Sequence, residues 1–225
     1  MDIITVCRTL NEERNIERFC EEYGKISNKI LIADGGSEDR TIEIAESFDK
    51  VKVKIFDERV EKGGIWRNPH GKHINFMIDW AKEAGADWII FDDCDSVPNK
   101  YLKEVIPPEF SNPALGMLMA QRLYLYKDGE CFPRMCTGLG LWAWRVNVNV
   151  RASEEDPWNH LMEMPNDVAK GPIMEPRVLL HYSWPDDEEI QRKAAFYRIA
   201  KDMKSDWHPL IFGGGLAPIP EWAIL

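Results

Sequence analysis

The sequence predicts an α/β protein with a mostly parallel central sheet flanked by helices. In its first half, short β-branched apolar runs alternate four times with amphipathic stretches, the rhythm of strand–helix–strand units. Three of those runs end directly in polar, acidic clusters, where open parallel sheets bind their ligands. No composition shift divides the 225 residues, a length that one domain accommodates. The expectation is a single domain over residues 1–225, with a first half at 1–105 and a second half at 106–225 that continues the same sheet.

Ile3, Ile4, Thr5 and Val6 make a buried strand, apolar at every position but one. Residues 12–23 carry Ile16, Phe19, Cys20 and Tyr23 at helical spacing with charges between them, which marks a surface helix. Residues 29–33 form a second strand that ends at Asp34-Gly35-Gly36-Ser37, and residues 40–48 a second helix capped by Ser37 or Asp39. Residues 51–56 alternate as a third strand. Residues 71–84 put Ile74, Met77, Ile78 and Ala81 on one face of a third helix. Trp88-Ile89-Ile90-Phe91 is a fourth strand, running straight into Asp92-Asp93-Cys94-Asp95.

From about residue 107 the rhythm changes, because Pro107, Pro108 and Pro113 break it. Residues 117–126 read as a strand and Lys127-Asp128-Gly129-Glu130 as a turn. Residues 139–150 are tryptophan-rich and alternating, and residues 178–182 are one more short strand. Residues 186–203 are helical, with Ile190, Ala194, Tyr197, Ile199 and Ala200 as the buried face. The tail through Gly213-Gly214-Gly215, Pro218 and Pro220 reads as loop.

A formal charge of -10 argues against a nucleic-acid binder, which needs a basic face to displace counterions. A nucleotide ligand remains compatible with it, since a bound divalent cation supplies positive charge locally. The five cysteines are scattered, odd in number and free of any CxxC pair, so neither a disulfide framework nor a structural zinc site is expected. The first residues lack a basic stretch followed by a long apolar run. No window approaches the roughly 20 apolar residues of a membrane helix. The expectation is a soluble cytoplasmic protein without a transmembrane segment.

Three polar clusters fall at strand ends: Thr9-Leu10-Asn11-Glu12-Glu13, Asp34-Gly35-Gly36-Ser37-Glu38-Asp39, and Asp92-Asp93-Cys94-Asp95. Three strands converging on one acidic rim predict one site. Carboxylates crowded at the end of a buried strand repel each other, and a hard divalent cation on Asp93 and Asp95 relieves that cost. An ordinary acidic turn uses the same residues. Two glycines after Asp34 allow a sharp turn and the close approach of a planar ligand, and its carboxylate suits a base N–H or a ribose hydroxyl. The expectation is that Asp34, Asp93 and Asp95 meet around a common cation and nucleotide. His181, at the end of a short strand, is a metal or diphosphate ligand, or a hydrogen-bonded structural residue. Arg192 and Lys193 read as solvated helix charges, with a pyrophosphate contact as the alternative. Alternation sets Trp142 and Trp144 on the same side of a strand, where core packing is the common use. A sugar-facing role for one of Trp142, Trp144, Trp158 and Trp184 is the alternative. His160 and His208, beside Trp158 and Trp207, suit a pocket or packing equally.

Four segments in order resemble family 2 of the glycosyltransferases, which have the A-type nucleotide-sugar-binding fold. They are the first strand ending in Asn11-Glu12-Glu13, then Asp34 to Thr41, then Gly71 to Asn75 opening a helix, then Trp88 to Asp95, whose last residues look like the family's DxD element. The resemblance covers residues 1–105. The later His181-Tyr182-Ser183, before a helix containing Lys and Tyr, is similar to that of lipopolysaccharide-core glucosyltransferase-like members.

The resemblance implies an inverting transfer of a sugar from a UDP- or GDP-sugar to a hydroxyl of a glycan, lipid-linked or protein acceptor. It implies a nucleotide-sugar-binding half at 1–105 and an acceptor-side half at 106–225 with the C-terminal helix. Thr9, Asn11, Glu12, Asp34, Lys72 and Asp93 would hold the nucleotide, and Asp95, Asp93 and His181 a Mn²⁺ or Mg²⁺ ion. Asp156, with Glu155 close behind it, stands where the family places its acidic base; a solvated acidic loop before Pro157 is the alternative. The chain departs from the pattern at Ile74, where the family often has a basic residue, so that Lys72 or His73 supplies the charge. It departs again at Asp92, usually apolar, and at Ser96, often acidic. Two other classes compete: a nucleotidyltransferase, which would place a basic glycine-rich loop where residues 9–13 are acidic, and a non-catalytic sugar- or nucleotide-binding module.

Overall fold

The computed structural model describes residues 1–62, 64–127, 130–132, 139–157, 161–173, 178–184, 186–200 and 216–219. The first half runs β1 (Ile3–Thr9), α1 (Ile16–Gly24), β2 (Lys29–Asp34), α2 (Thr41–Glu46), β3 (Val51–Ile55), β4 (Val60–Lys62), β5 (Ile65–Arg67), α3 (His70–Glu83) and β6 (Trp88–Phe91). The second runs β7 (Ser96–Pro98), α4 (Lys100–Ser111), β8 (Met117–Tyr126), β9 (Glu130–Phe132), β10 (Leu139–Arg145), β11 (Arg151–Ala152), β12 (Met162–Glu163), β13 (Lys170–Ile173), β14 (Leu179–Trp184), α5 (Asp187–Ala200) and β15 (Ala217–Pro218).

One sheet carries most strands, in the order β15-β9-β8-β10-β6-β1-β2-β3, with β13 and β14 pairing β8 and β7 pairing β14. β3, β2, β1 and β6 are mutually parallel. Beyond them β10 runs antiparallel to both β6 and β8, so the second half does extend the first half's sheet. Helices cover both faces, which is why β2 and β6 read as nearly unbroken apolar runs, while β3 at the end of the sheet alternates. On one face Cys7, Ile30, Ile32 and Trp88 pack with Ile16, Phe19, Cys20 and Tyr23 of α1. On the other, Ile4, Val6, Leu31 and Ile89 pack with Ile74, Met77, Ile78 and Ala81 of α3. Cys7, Cys20, Cys94 and Cys131 are buried free thiols, and burial pushes Cys7 up to about 11 and Cys20 up to about 12. Among the described residues no helix is long and apolar enough to cross a membrane.

Several elements differ from the sequence reading. The expected break at Pro107 and Pro108 is instead the interior of α4, which starts where Asn99 Oδ1 accepts the Leu102 amide at 3.0 Å. The helix survives two missing N–H groups because its last turn is anchored: Phe110 meets Trp88 edge-on at 4.8 Å, and Trp88 Nε1 donates to the Phe110 carbonyl at 3.2 Å. In β10 the pairing slips between Leu141 and Ala143. That bulge reverses the alternation, so Trp142 packs on the α1 side and Trp144 on the α3 side. Both are fully buried, which assigns them to the core and removes them as sugar platforms. Of the expected caps for α2, Asp39 serves, its Oδ1 accepting the Thr41 amide at 3.0 Å; Ser37 bonds elsewhere. The tail read as loop contributes β15, which pairs with β9. In α5, Ile190 is buried; the remaining residues expected on its buried face lie outside the described side chains, as do Trp158, His160, Trp184, Trp207, His208 and the three glycines at 213–215.

Candidate functional site

The parallel strands end at one rim, and the loops there are stitched together. Asp34, fully buried at the end of β2, accepts four hydrogen bonds. Gly36 and Ser37 amides reach Oδ1 at 2.8 and 2.6 Å, and the Thr9 and Ser37 hydroxyls reach Oδ2 at 2.7 and 2.6 Å. Those four fill a carboxylate's lone-pair sites. Asp34 therefore shapes its own loop, and its oxygens are not turned to a cation shared with Asp93 and Asp95 as the sequence suggested. Asn11, at a φ of 56°, donates its amide to Ser37 Oγ at 2.8 Å and accepts the Glu38 amide at 2.8 Å. The Glu12 amide reaches Thr41 Oγ1 at 2.7 Å. Thr9, Asn11, Glu12 and Asp34 thus belong to one laced double loop. Arg59 closes its outer side, donating to the Gly35 carbonyl at 2.8 Å.

The loop after β6 carries three aspartates with three different jobs. Asp92 is buried and faces inward. It accepts from Tyr23 Oη at 2.5 Å, Ser96 Oγ at 2.9 Å, Arg122 Nη2 at 3.1 Å and the Asp93 amide at 3.0 Å. Burial raises its carboxyl even against the adjacent Arg122. This network explains how an acid occupies a position that is usually apolar: the charge is paired on the spot. Asp93 turns to β1, where Arg8 grips Oδ1 through Nε at 3.2 Å and Nη2 at 3.1 Å. Arg8 Nη1 is buried without a hydrogen-bond partner.

Asp95 turns to the C-terminal elements. Its Oδ1 lies 3.0 Å from His181 Nε2 on β14, and its Oδ2 lies 3.3 Å from Lys193 Nζ on α5. Burial alone would raise this carboxyl, but His181 and Lys193 outweigh it and hold it far below the usual range. The Tyr182 amide also donates to the Asp95 carbonyl at 2.7 Å. Glu12 faces the same cluster: burial, and then the Asp95 charge, push its carboxyl up to about 7. Lys193 is not the solvated helix charge the sequence suggested, since its side chain is only 18% exposed. Arg192 is bound to Glu189 through two contacts, 2.7 and 2.6 Å.

The start of α3 lies against the same rim, because His73 Nε2 donates to the Ala33 carbonyl at the end of β2, 2.8 Å away. His73 is buried and stacked on Phe56. Burial lowers it to about 4, so it stays neutral and cannot supply the positive charge that the family often carries nearby. Lys72 is exposed and paired with Glu58 at 2.8 Å. Residues 151–157 dock on this end of α3: Asn75 exchanges two 2.9 Å hydrogen bonds with the Ala152 backbone, and the His70 amide donates to the Pro157 carbonyl at 2.9 Å. Gly71 makes room, for a Cβ there would sit 2.0 Å from the Ser153 carbonyl oxygen. Glu154 accepts from Asn75 at 2.7 Å, while Glu155 and Asp156 are exposed.

The structure therefore unites Asp93, Asp95, Glu12 and His181 at one rim and adds Arg8, Arg122 and Lys193, which sequence reading passed over or set aside. Arg8 is the one charged residue of β1, and that charge was the signal that could have revealed it. Among the described residues no group of three or more His, Cys, Asp and Glu side chains gathers as a ready metal cage. Asp95 and His181 nonetheless form a converging oxygen–nitrogen pair of the kind that a small divalent cation accepts. The buried His181 Nδ1 has no hydrogen-bond partner.

Solved structures share this architecture. S. aureus TarS 1-349 in complex with UDP superposes with a TM-score of 0.56 at 17% identity, covering 91% of this chain and 68% of that one. Glucosyl-3-phosphoglycerate synthase from Mycobacterium tuberculosis, in complex with Mn²⁺, UDP and glucosyl-3-phosphoglycerate, gives 0.50 at 16% identity, covering 91% and 81%. Against S. aureus TarS in a longer form the TM-score is 0.55 at 15% identity; 91% of this chain is covered, and it spans 41% of the length of that protein. At these identities the likeness is one of fold. Among curated proteins no sequence matches the chain. The sequence pattern described as Glycosyl transferase family 2 matches residues 5–164, a span that contains both laced loops, the three aspartates after β6 and the segment docked on α3, and the chain belongs to that family.

Proposed function

We propose that this chain transfers a sugar from a UDP-linked donor to an acceptor hydroxyl with inversion at the anomeric carbon. The observation that carries the reading is Asp95, gripped between His181 and Lys193 at the end of β6, beside two loops already folded into a cradle. The UDP bound to the TarS and synthase structures supports the choice of base.

In this reading the loops at residues 9–13 and 34–41 receive the nucleoside. Arg8 fixes Asp93, and its unpaired Nη1 is a donor for a ligand oxygen. Asp95 and His181 would hold Mn²⁺ or Mg²⁺, with diphosphate oxygens completing the shell. When bound, such a cation would neutralise charge growing on the leaving diphosphate. Lys193 and Arg192 add positive charge from α5. The acceptor oxygen attacks the anomeric carbon as the bond to the diphosphate breaks, and its proton passes to a carboxylate. Asp156, exposed on the segment docked at the start of α3, is assigned that role, with Glu155 as its neighbour. The acceptor is a hydroxyl of a glycan, a lipid-linked glycan or a protein.

Calorimetric titration with UDP, with and without Mn²⁺, followed by chromatography of UDP-sugars incubated with the protein, tests this. Metal-dependent UDP binding and release of UDP from a UDP-sugar are expected, both lost in Asp95→Ala. Absence of UDP binding in the presence of Mn²⁺ would overturn the proposal. Binding without turnover would make the chain a nucleotide-sugar-binding module, and release of pyrophosphate in a parallel incubation with UTP and a sugar 1-phosphate would make it a nucleotidyltransferase.

A further inference from the structure

Two side chains from two different elements share the Asp95 carboxylate. His181 of β14 takes one oxygen at 3.0 Å and Lys193 of α5 the other at 3.3 Å, and all three side chains are less than a fifth exposed. Lys193 has a second anchor one turn earlier on its own helix, Glu189, whose Oε1 is 3.6 Å from the ammonium. The start of the helix is held by the buried Ile190, which packs with Tyr126, and by surface ion pairs: Arg14 with Asp186 at 2.9 Å, Arg14 with Glu188 at 3.8 Å and Lys127 with Asp187 at 2.7 Å. Such pairs hold weakly and rearrange easily. A divalent cation arriving on Asp95 would face the ammonium across one carboxylate in a partly dry site, where like charges repel far more than in water. The flexible lysine stem lets that ammonium leave without unfolding the helix.

We propose that Lys193 is an exchange residue: its ammonium neutralises Asp95 until a divalent cation takes the carboxylate, and it then passes to the diphosphate of the donor. The inference rests on the metal and donor reading above and adds a linkage to it. Lys193 opposes metal binding in the empty site and favours diphosphate binding in the loaded one. Glu189 holds the displaced ammonium near the rim, and Arg192 keeps Glu189 in place through its two short contacts.

The test is a pair of titrations on wild type, Lys193→Met and Lys193→Arg: Mn²⁺ alone, read by the electron paramagnetic resonance of the free ion, and UDP at saturating Mn²⁺, read by calorimetry. Lys193→Met is expected to tighten Mn²⁺ and to weaken UDP, each by about five- to tenfold, the scale of one coupled contact. Lys193→Arg keeps the charge and is expected to stay near wild type in both. Mn²⁺ affinity unchanged or weakened in Lys193→Met overturns the exchange, as does UDP affinity that does not fall. Lys193→Gln provides the same crossed comparison if the methionine variant fails to fold. Wild-type protein that binds neither Mn²⁺ nor UDP would instead overturn the proposed function itself.

Discussion

Tyr23 of α1 donates a 2.5 Å hydrogen bond to Asp92, the residue directly in front of the two rim aspartates. Trp142 Nε1 in turn donates to Tyr23 Oη at 3.2 Å, so a helix, the loop after β6 and strand β10 meet at one buried oxygen. Burial, and then the negative charge of Asp92, push the Tyr23 phenol well above its ordinary value. Tyr23→Phe leaves a buried carboxylate one donor short, a loss of about 1–3 kcal/mol. Asp92→Ala is worse, because Arg122 then keeps a mostly buried charge without its partner, a loss of about 3–5 kcal/mol. Urea unfolding measures both, and a smaller loss for Asp92→Ala than for Tyr23→Phe would contradict this account.

The base assignment separates two neighbouring carboxylates. Asp156→Asn is expected to lower kcat by about 10²–10⁴-fold, the range for losing a general base, with UDP affinity unchanged. Glu155→Gln is expected to keep most of the activity. A reversed order between the two variants would move the role to Glu155.

Gly71 is where α3 meets the segment that carries Asp156. A methyl group there would press 2.0 Å from the Ser153 carbonyl oxygen, and backbone does not yield as a flexible side-chain end does. Gly71→Ala is expected to cost about 1–3 kcal/mol from overpacking and to reduce kcat more than KM, because it shifts the acidic segment and spares the donor loops. Equal stability and activity in the variant would show that residues 151–157 are not fixed by this contact.

His73 and Glu12 give the fold opposing pH responses. His73 sits near 4 in the fold because burial disfavours its charged form, against about 6.5 in an unfolded chain. As the pH falls below 6.5 the unfolded chain takes the proton first, so stability declines until about pH 4, by about 3 kcal/mol in all. Glu12, pushed up to about 7 by burial and Asp95, takes its proton first in the folded state and gains stability as pH falls from 7 towards 4.5. His73→Gln is therefore expected to remove the acid-side decline and to leave the Glu12 gain visible. Unfolding free energies at pH 7 and pH 4.5 decide it: in wild type the two responses largely cancel, the variant is expected to gain stability towards pH 4.5, and a variant whose change between the two pH values equals that of wild type contradicts the assignment.

The parallel half of the fold was readable because its periodicities are strong: β6 spans the expected four residues, and the buried faces of α1 and α3 contain the apolar positions picked from spacing. What failed depended on contacts distant in sequence. Pro107 and Pro108 stay inside a helix because Trp88 anchors Phe110, and Trp142 parts from Trp144 because a neighbouring strand accepts a bulge. The rim behaved similarly. Aspartate spacing pointed to Asp93 and Asp95, but their partners lie 85 and 98 residues away, at Arg8 and Lys193. Lys193 looked solvated because a helix pattern shows which face is polar and not what that face meets.

The saturated carboxylate of Asp34 has a consequence for ligand affinity. Its four hydrogen bonds all come from the chain's own groups, so the turn after β2 enters binding pre-organised. A nucleoside then avoids the ordering penalty of about 1–2 kcal/mol for each backbone residue that a floppy loop would levy. Loosening that turn, for example by Ser37→Ala, should appear as a more unfavourable entropy of nucleotide association while the contacts themselves stay unchanged.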